Sequence, residues 1–350
     1  VDPVTLPFLD DEAMRSVIDR QFTLAKPPGS LGRLETLSGW LASVQGSSPP
    51  RPLQRVRVVL FAADHGVTAA GVSAHPQDLT ARLVAAVGHG GTATEVLARQ
   101  VGASLLVVDA GVAAETSPAV GGRKIRAGTA DIRLADAMSR DETESAIALG
   151  RSVADEEIDA GADLLVPGNL GRGSTTVAAT IVGALLREEP VAVVGRDRSL
   201  DDATWCRKVA AVRDALRRVR AAAVEDDPIG LLTVAGGPDL AALTGFLLQA
   251  AVRRTPVVLD GLVVTTAALL ADRLALGTRG WQVAGHLADE SAHGLALDAL
   301  GLAPLLDLDV RLGEAAGALL AVPLLHAAVA IATEMATLTD VGLDGPSEDS

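Results

Sequence analysis

Cysteine is nearly absent from this sequence: Cys206 is the only one. A single thiol excludes a disulfide within the chain and makes a cysteine-based zinc site implausible. It suits a reducing compartment, so the cytoplasm is the expected location. Aromatic residues are almost as scarce, at 2%, and tyrosine is missing altogether. The core must therefore be aliphatic, and stacking platforms for single-stranded nucleic acid are not expected. Positive charge is outweighed too, with 30 Lys and Arg against 44 Asp and Glu, a net −14. That balance disfavours binding to a phosphate backbone. A small-molecule ligand, held where positive charge is local, is the expected partner. The opening Val1-Asp2-Pro3 shows no basic region followed by an apolar stretch, so no secretory signal is expected.

Apolar residues are what the chain does have: 49% of 350 residues, enough for one large core or a large and a small one. The longest apolar run, residues 315–332, raises a membrane question. Pro323 and His326 interrupt it and no Lys/Arg cluster flanks it, so a buried helix is expected, with a subunit interface as a further use. Strands are predicted at 56–62, 104–108, 163–166, 191–194, 231–234 and 257–259. Each is continuous rather than alternating, as in a parallel sheet covered on both faces. Helical patterns lie at 10–24, 31–44, 80–100, 174–187, 202–223, 239–253 and 265–275. The repeated order of strand, polar turn and helix implies an α/β fold: a doubly wound, mostly parallel sheet with helices on both faces. Residues 1–52 with about 315–342 are expected to form a small helical domain. Residues 53–314 would form the large Rossmann-like domain, and 343–350 a frayed tail. Ligands of such sheets bind beyond the carboxyl ends of the strands.

Several segments at those ends can carry chemistry. Glu314, in Arg311-Leu312-Gly313-Glu314, heads the long apolar run. A carboxylate entering so apolar a segment must be paired, hydrogen-bonded or partly protonated, and with a raised pKa it can take a proton at neutral pH. Equally, it can be a helix-start carboxylate that favours the dipole. Gly168-Asn169-Leu170-Gly171-Arg172-Gly173-Ser174-Thr175-Thr176 follows a predicted strand and opens a helix. Glycines let backbone approach a ligand, and helix-start N–H groups suit an anion. It is neither the Walker pattern nor the dinucleotide fingerprint, and an ordinary turn would look the same. Asp64-His65, followed by Ser73, His75 and Gln77, can be read as acid–base machinery or as a structural turn. A metal is not expected there, because no further ligand stands at suitable spacing. Ser73 and Gln77 can bond a flat heterocycle or cap the next helix. Lys208 is a solvated helix lysine unless the loop 195–199 curls over the same pocket. Residues 26–35, with two prolines and two glycines, form a rigid turn, either a lid or a subunit contact.

Taken together and in order, these segments resemble the nicotinate-nucleotide:dimethylbenzimidazole phosphoribosyltransferase family over nearly the whole chain. Residues 26–35 resemble its opening motif, 64–67 with 71–77 its base-pocket motif, and Arg311-Leu312-Gly313-Glu314 the segment with the catalytic glutamate. Gly90-Gly91, Asp109-Ala110-Gly111-Val112, Asp201-Asp202 with Lys208, Asp260-Gly261 with Thr265, and Met335-Ala336-Thr337 also match. The resemblance implies transfer of phosphoribose from nicotinate mononucleotide to a benzimidazole-type base, without metal or cofactor, by a homodimer. Glu314 would be the base catalyst. Ser73, His75, Gln77, Leu312 and Gly313 would hold the benzimidazole. Asn169, Gly171, Gly173, Ser174, Thr175, Gly195, Lys208 and Ala288 would hold the donor and its phosphate.

Departures from the family pattern gather on the donor side. Asn169 stands for an acidic residue, Arg172 and Ser174 for Ile and Asn, Ala288 for a serine, and Ala315-Ala316 for Gly-Ser or Gly-Thr. Asp197-Arg198-Ser199 replaces a Gly-Thr-Gly turn, His75 an aromatic and Glu95 an asparagine. Two readings follow: the family activity with local drift, or a paralogue with another donor or base, or with binding alone. A dinucleotide-dependent dehydrogenase would share the fold class but lacks the glycine fingerprint.

Overall fold

The computed structural model describes residues 4–195 and 201–343. Two helices come first, α1 (Asp11–Thr23) and α2 (Arg33–Gln45). Asp10 caps α1 by accepting the amides of Glu12 and Ala13, which would otherwise lack partners. Strand β1 (Val56–Ala63) follows, then the short helices α3 (Leu79–Ala86) and α4 (Ala93–Gln100), and β2 (Ser104–Gly111). The one-turn α5 (Pro118–Gly121) leads to α6 (Arg140–Asp159), β3 (Leu164–Leu170) and α7 (Ser174–Leu186). Next come α8 (Pro190–Val194), α9 (Asp202–Val224), α10 (Pro228–Ala235), α11 (Pro238–Val252) and β4 (Val257–Leu259). The chain continues through α12 (Leu262–Leu274), β5 (Gln282–Ala284), β6 (His286–Leu287) and α13 (Ser291–Leu300). It then runs through β7 (Leu306–Asp307) into α14 (Ala316–Glu334).

Strands β1 to β5 form one parallel sheet in the order β2-β1-β3-β4-β5, while β6 and β7 pair separately. The first strand is central: β2 lies on one side of it and β3 on the other. The chain thus reverses its winding between β1 and β3, where doubly wound sheets open a crevice. Along β1, Val59 and Phe61 join an apolar cluster with α6, α7, α11 and α12. The alternate residues Val58, Leu60 and Ala62 join a second cluster with Ala318, Leu319, Val322 and Leu325 of α14. Burial on both faces is why the strands read as unbroken apolar runs.

Helix α14 is long and apolar enough to cross a membrane by composition, yet 56% of its most apolar window is buried within the protein. Its first turns cover the sheet. Its end meets α1 and α2, where Ala13, Val17, Ala42 and Ala332 pack together and Arg20 Nε donates to the Ala332 carbonyl at 2.8 Å. One helix therefore ties the terminal helices to the α/β core.

Two predicted strands are helices. Residues 191–194 lie in α8 and 231–234 in α10. Each helix begins with proline at its first position, Pro190 and Pro228, and Asp227 caps the second by accepting the Ile229 amide. Proline there presets the helical φ and loses no needed N–H, which outweighs the β preference of the valines and leucines. The predicted helix 80–100 is instead two, split by Gly88 and Gly90 at φ +99° and +79°. Strand β5 is an addition to the prediction, and β3 runs on to Leu170 through Pro167. β4 pairs with β3 only at Leu165, and Leu165 N bonds toward that side. Pro167 has no N–H to donate toward β4, so the ladder between the two strands stays at that one pair.

Candidate active site

Segments following β1, β3 and β4 meet residues of β6 and the approach to α14 around a cavity of about 540 Å³. On one side is the turn from β3 into α7. Gly173 precedes the helix at φ +94°, and a Cβ on it would lie 2.8 Å from the Thr68 side chain, so only glycine fits. The helix opens at Gly173 without a side-chain cap, and the Thr176 amide bonds back to the Gly173 carbonyl at 3.0 Å. Thr175 and Thr176 line the wall there. Lys208, in the second turn of α9, is buried, and its Nζ donates to Thr175 Oγ1 at 3.1 Å. It is a buried cation held at the start of α7, not a solvated helix residue.

Leu312, Gly313 and Glu314 also line the cavity. Glu314 and Ala315 both have positive φ, +59° and +66°, immediately before α14. Such angles cost non-glycine residues on the order of 1 kcal/mol or more each. The turn fits tightly against β3: a Cβ on Gly168 would come within 2.7 Å of the Ala315 amide. Burial pushes the Glu314 carboxyl up from its usual pKa, and the negative Asp260 adds to the rise. Asp260 is itself buried, which would raise its pKa, but the His286 imidazole beside it and the Ala318 amide outweigh that and hold it low. His286 is pulled down by burial and raised more strongly by Asp260. His293 is pushed down to about 4 by burial and by the charge of His286. It is therefore a neutral imidazole whose Nδ1 accepts the Ala288 amide at 3.0 Å.

Ser73 and His75 sit on the loop after β1 and line the cavity. Two arginines hold that loop by its backbone. Arg172 Nε donates to the His75 carbonyl at 2.8 Å, and Arg207 Nε to the Gly71 carbonyl at 2.9 Å. Asp64 and His65 take structural roles. Asp64 accepts Thr80 Oγ1 at 2.6 Å and the Ala113 amide at 2.9 Å. His65 is buried with Nε2 3.1 Å from Asp239 Oδ2. The same oxygen accepts Asn169 Nδ2 at 2.6 Å and Ser174 Oγ at 3.4 Å.

Of the expected site residues, Glu314, Ser73, His75, Leu312, Gly313, Asn169, Gly171, Gly173, Thr175, Lys208 and Ala288 line this one cavity. Three expected residues do not. Gln77 is exposed and lies outside the lining, and neither it nor Ser73 caps α3. Ser174 turns inward to the Gly171 carbonyl and Asp239. Gly195 packs against Ser291 and its carbonyl accepts Trp205 Nε1. The replaced turn at Asp197-Arg198-Ser199 lies outside the described residues. The segment 26–35 is a clasp away from the cavity. Lys26 pairs with Glu35 at 2.7 Å, and Arg33 donates to the Ala303 and Pro304 carbonyls. The sequence reading missed Asp260, His286 and Glu290 as cavity residues. Asp260 was within reach, since it directly follows a predicted strand. His286 follows strand β5, which is too short to leave a pattern.

One cavity at the end of a parallel sheet thus holds a glycine-led helix start, a buried lysine and a carboxyl of raised pKa. The phosphoribosyltransferase family model matches residues 6–343, and the chain belongs to that family. It is thus a pentosyl-transferring enzyme. The chain is 53% identical over 349 residues to the nicotinate-nucleotide–dimethylbenzimidazole phosphoribosyltransferase of Mycobacterium marinum, covering 99% of this chain and 96% of that protein. To the protein of the same name from Mycobacterium tuberculosis it is 53% identical over 348 residues, covering 99% and 95%. The crystal structure of the Thermus thermophilus enzyme of that name superposes with a TM-score of 0.90 at 42% identity, covering 96% of this chain and 99% of that one.

Proposed function

We propose that the chain transfers phosphoribose from nicotinate mononucleotide to 5,6-dimethylbenzimidazole, with Glu314 as general base. The observation that carries this is that Glu314, its proton affinity raised, lines a single cavity together with buried Lys208 and the α7 start. Glu314 takes the benzimidazole N–H proton, and the opposite nitrogen attacks C1′ of the ribose. The C1′–N bond to the pyridinium breaks with its electron pair returning to the pyridine nitrogen, and nicotinate leaves. Attack from the opposite face inverts the anomeric centre, giving the α-riboside 5′-phosphate. Lys208, Thr175 and the α7 amides hold the phosphate. The cation-like ribose of the transition state is stabilised by the nearby carboxylate, and alignment of the two substrates supplies much of the rest.

Identity above 50% along essentially the whole length supports this reading over a paralogue with a different reaction. A homodimer in the cytoplasm belongs to the same proposal. It is supported by the partly exposed stripe of Leu320, Leu324, Ala327 and Ile331 on α14, and by the lone cysteine. The test is nicotinate release from nicotinate mononucleotide plus 5,6-dimethylbenzimidazole. Glu314→Gln should lower kcat by roughly 100- to 10,000-fold, the range of general-base catalysis, with KM for the base little changed. Full turnover by that variant would refute Glu314 as the base, and no nicotinate release by the folded wild type would refute the reaction.

A further inference from the structure

The peptide unit joining Glu314 to Ala315 is gripped at both ends. Its carbonyl, on Glu314, accepts Thr94 Oγ1 of α4 at 2.7 Å. Its N–H, on Ala315, donates to Asp260 Oδ2 at 3.0 Å. Asp260 Oδ1 accepts the Ala318 amide at 3.1 Å, so one carboxylate from the end of β4 also caps α14. No local side chain does so, because Ala315 is the capping position. The two residues flanking the gripped peptide are the two at positive φ, and strained angles persist only where surroundings over-determine them. His286 completes the arrangement. Its Nε2 is 3.3 Å from Asp260 Oδ1, and its ring fills the place a side chain at Gly317 would need, with Cδ2 2.0 Å from the ideal Cβ. Asp260, His286 and Glu314 all line the cavity.

We propose that Asp260 is a positioning residue for Glu314, clamping the Glu314–Ala315 peptide together with Thr94, and that His286 governs how much of the Asp260 charge the Glu314 carboxylate meets. This rests on Glu314 being the base. Among the described residues, Asp260 combines hold on the backbone with charge on the carboxylate. The other ionisable groups around it are His293 on α13, the Arg311–Asp289 pair and Glu290 at the rim, Lys208 on α9, Arg172 and His75 across the cavity, and Glu95 on α4.

The signs follow from charge alone. A neighbouring carboxylate disfavours ionised Glu314, and a cation beside that carboxylate offsets it. The readout is kcat against pH at saturating substrates, whose acid limb reports the base in the bound complex. Asp260→Asn should move that limb to lower pH by about one unit and lower the plateau on the order of tenfold. His286→Gln should move the limb to higher pH. A purely structural role would lower kcat in both without opposite displacements. Thr94→Val should lower kcat severalfold with the limb unmoved, and Thr94→Ser should restore it. Should Asp260→Asn fail to fold, the His286→Gln limb and the Thr94 pair still decide. Limbs that stay put or move together, or a Thr94→Val enzyme equal to wild type, would overturn the proposal. Undiminished turnover of Glu314→Gln would instead overturn the reading beneath it, so the two failures are distinct.

Discussion

Two buried aspartate–histidine pairs stand near the carboxyl edge of the sheet, and they serve different ends. His65–Asp239 and His286–Asp260 are each at most 2% exposed, with nitrogen–oxygen separations of 3.1 Å and 3.3 Å. Asp239 gathers His65, Asn169 and Ser174 on one oxygen and does not line the cavity. It fixes the turn from β3 into α7 from beneath. Asp260 faces the cavity beside a second carboxylate and holds backbone amides of the turn that presents it. The residue types are the same, but His65 Nε2 is hydrogen-bonded to its aspartate and His286 Nε2 only lies close to its own. The presence of a neighbouring titratable group, and of strained backbone to restrain, makes the difference.

That comparison breaks most visibly under Asp239→Ala. Removing one partner strands His65 and the Asn169 amide in the interior, at a cost of about 3–5 kcal/mol, measurable by urea unfolding at pH 7. Glu314→Gln, on the cavity side, should cost no stability at pH 7, because it removes a carboxylate whose ionisation burial and Asp260 disfavour. The pH dependence sharpens the contrast. Burial depresses His65, but the Asp239 charge and hydrogen bond raise it above its usual 6.5 on balance. Its contribution to stability is therefore complete below pH 6.5 and lost as pH rises through the folded value. Wild type should show that alkaline decline and Asp239→Ala should not.

A smaller effect is expected from Asn169→Asp. Family resemblance makes this look like a restoration, since an acidic residue is usual there. The structure argues otherwise, because the Asn169 nitrogen lies 2.6 Å from Asp239 Oδ2. Two carboxylates so placed cannot both ionise without cost. The variant should be less stable by about 1–2 kcal/mol at pH 8 and recover toward wild type by about pH 5, where a shared proton is available. Equal destabilisation at both pH values would contradict the account. Smallest is Arg172→Leu, which frees the loop carrying Ser73 and His75 from one anchor. KM for the base should rise about fivefold, equivalent to a hydrogen bond of about 1 kcal/mol, with kcat held. An unchanged KM would remove Arg172 from the acceptor side.

Much of this was legible in the residues, unevenly. β1, β2 and β4 are mostly apolar without alternation, and burial on both faces writes that pattern directly into sequence. The valines of α8 and leucines of α10 carry the same pattern, and only Pro190 and Pro228 mark them as helix starts. Glu314 was conspicuous because a carboxylate heads an apolar run. Glu95 was noted only as a departure, yet it organises the break between α3 and α4. Burial would raise its pKa, but the amides of Thr92, Gly88 and Gly90 hold it at about 2. Three amides converging on one carboxylate leave no spacing rule to read.

The sequence by itself determined the layered α/β class, the glycine turn before α7 and the candidate base, because these depend on burial pattern, backbone freedom and local charge. Tertiary structure decided what surrounds Glu314. Asp260, 55 positions before Ala315, and Thr94, 220 positions before Glu314, meet one peptide unit only when β4 and α4 converge on the start of α14. Contacts between such distant segments are set by how the sheet and helices pack, and periodicity along the chain carries no record of them.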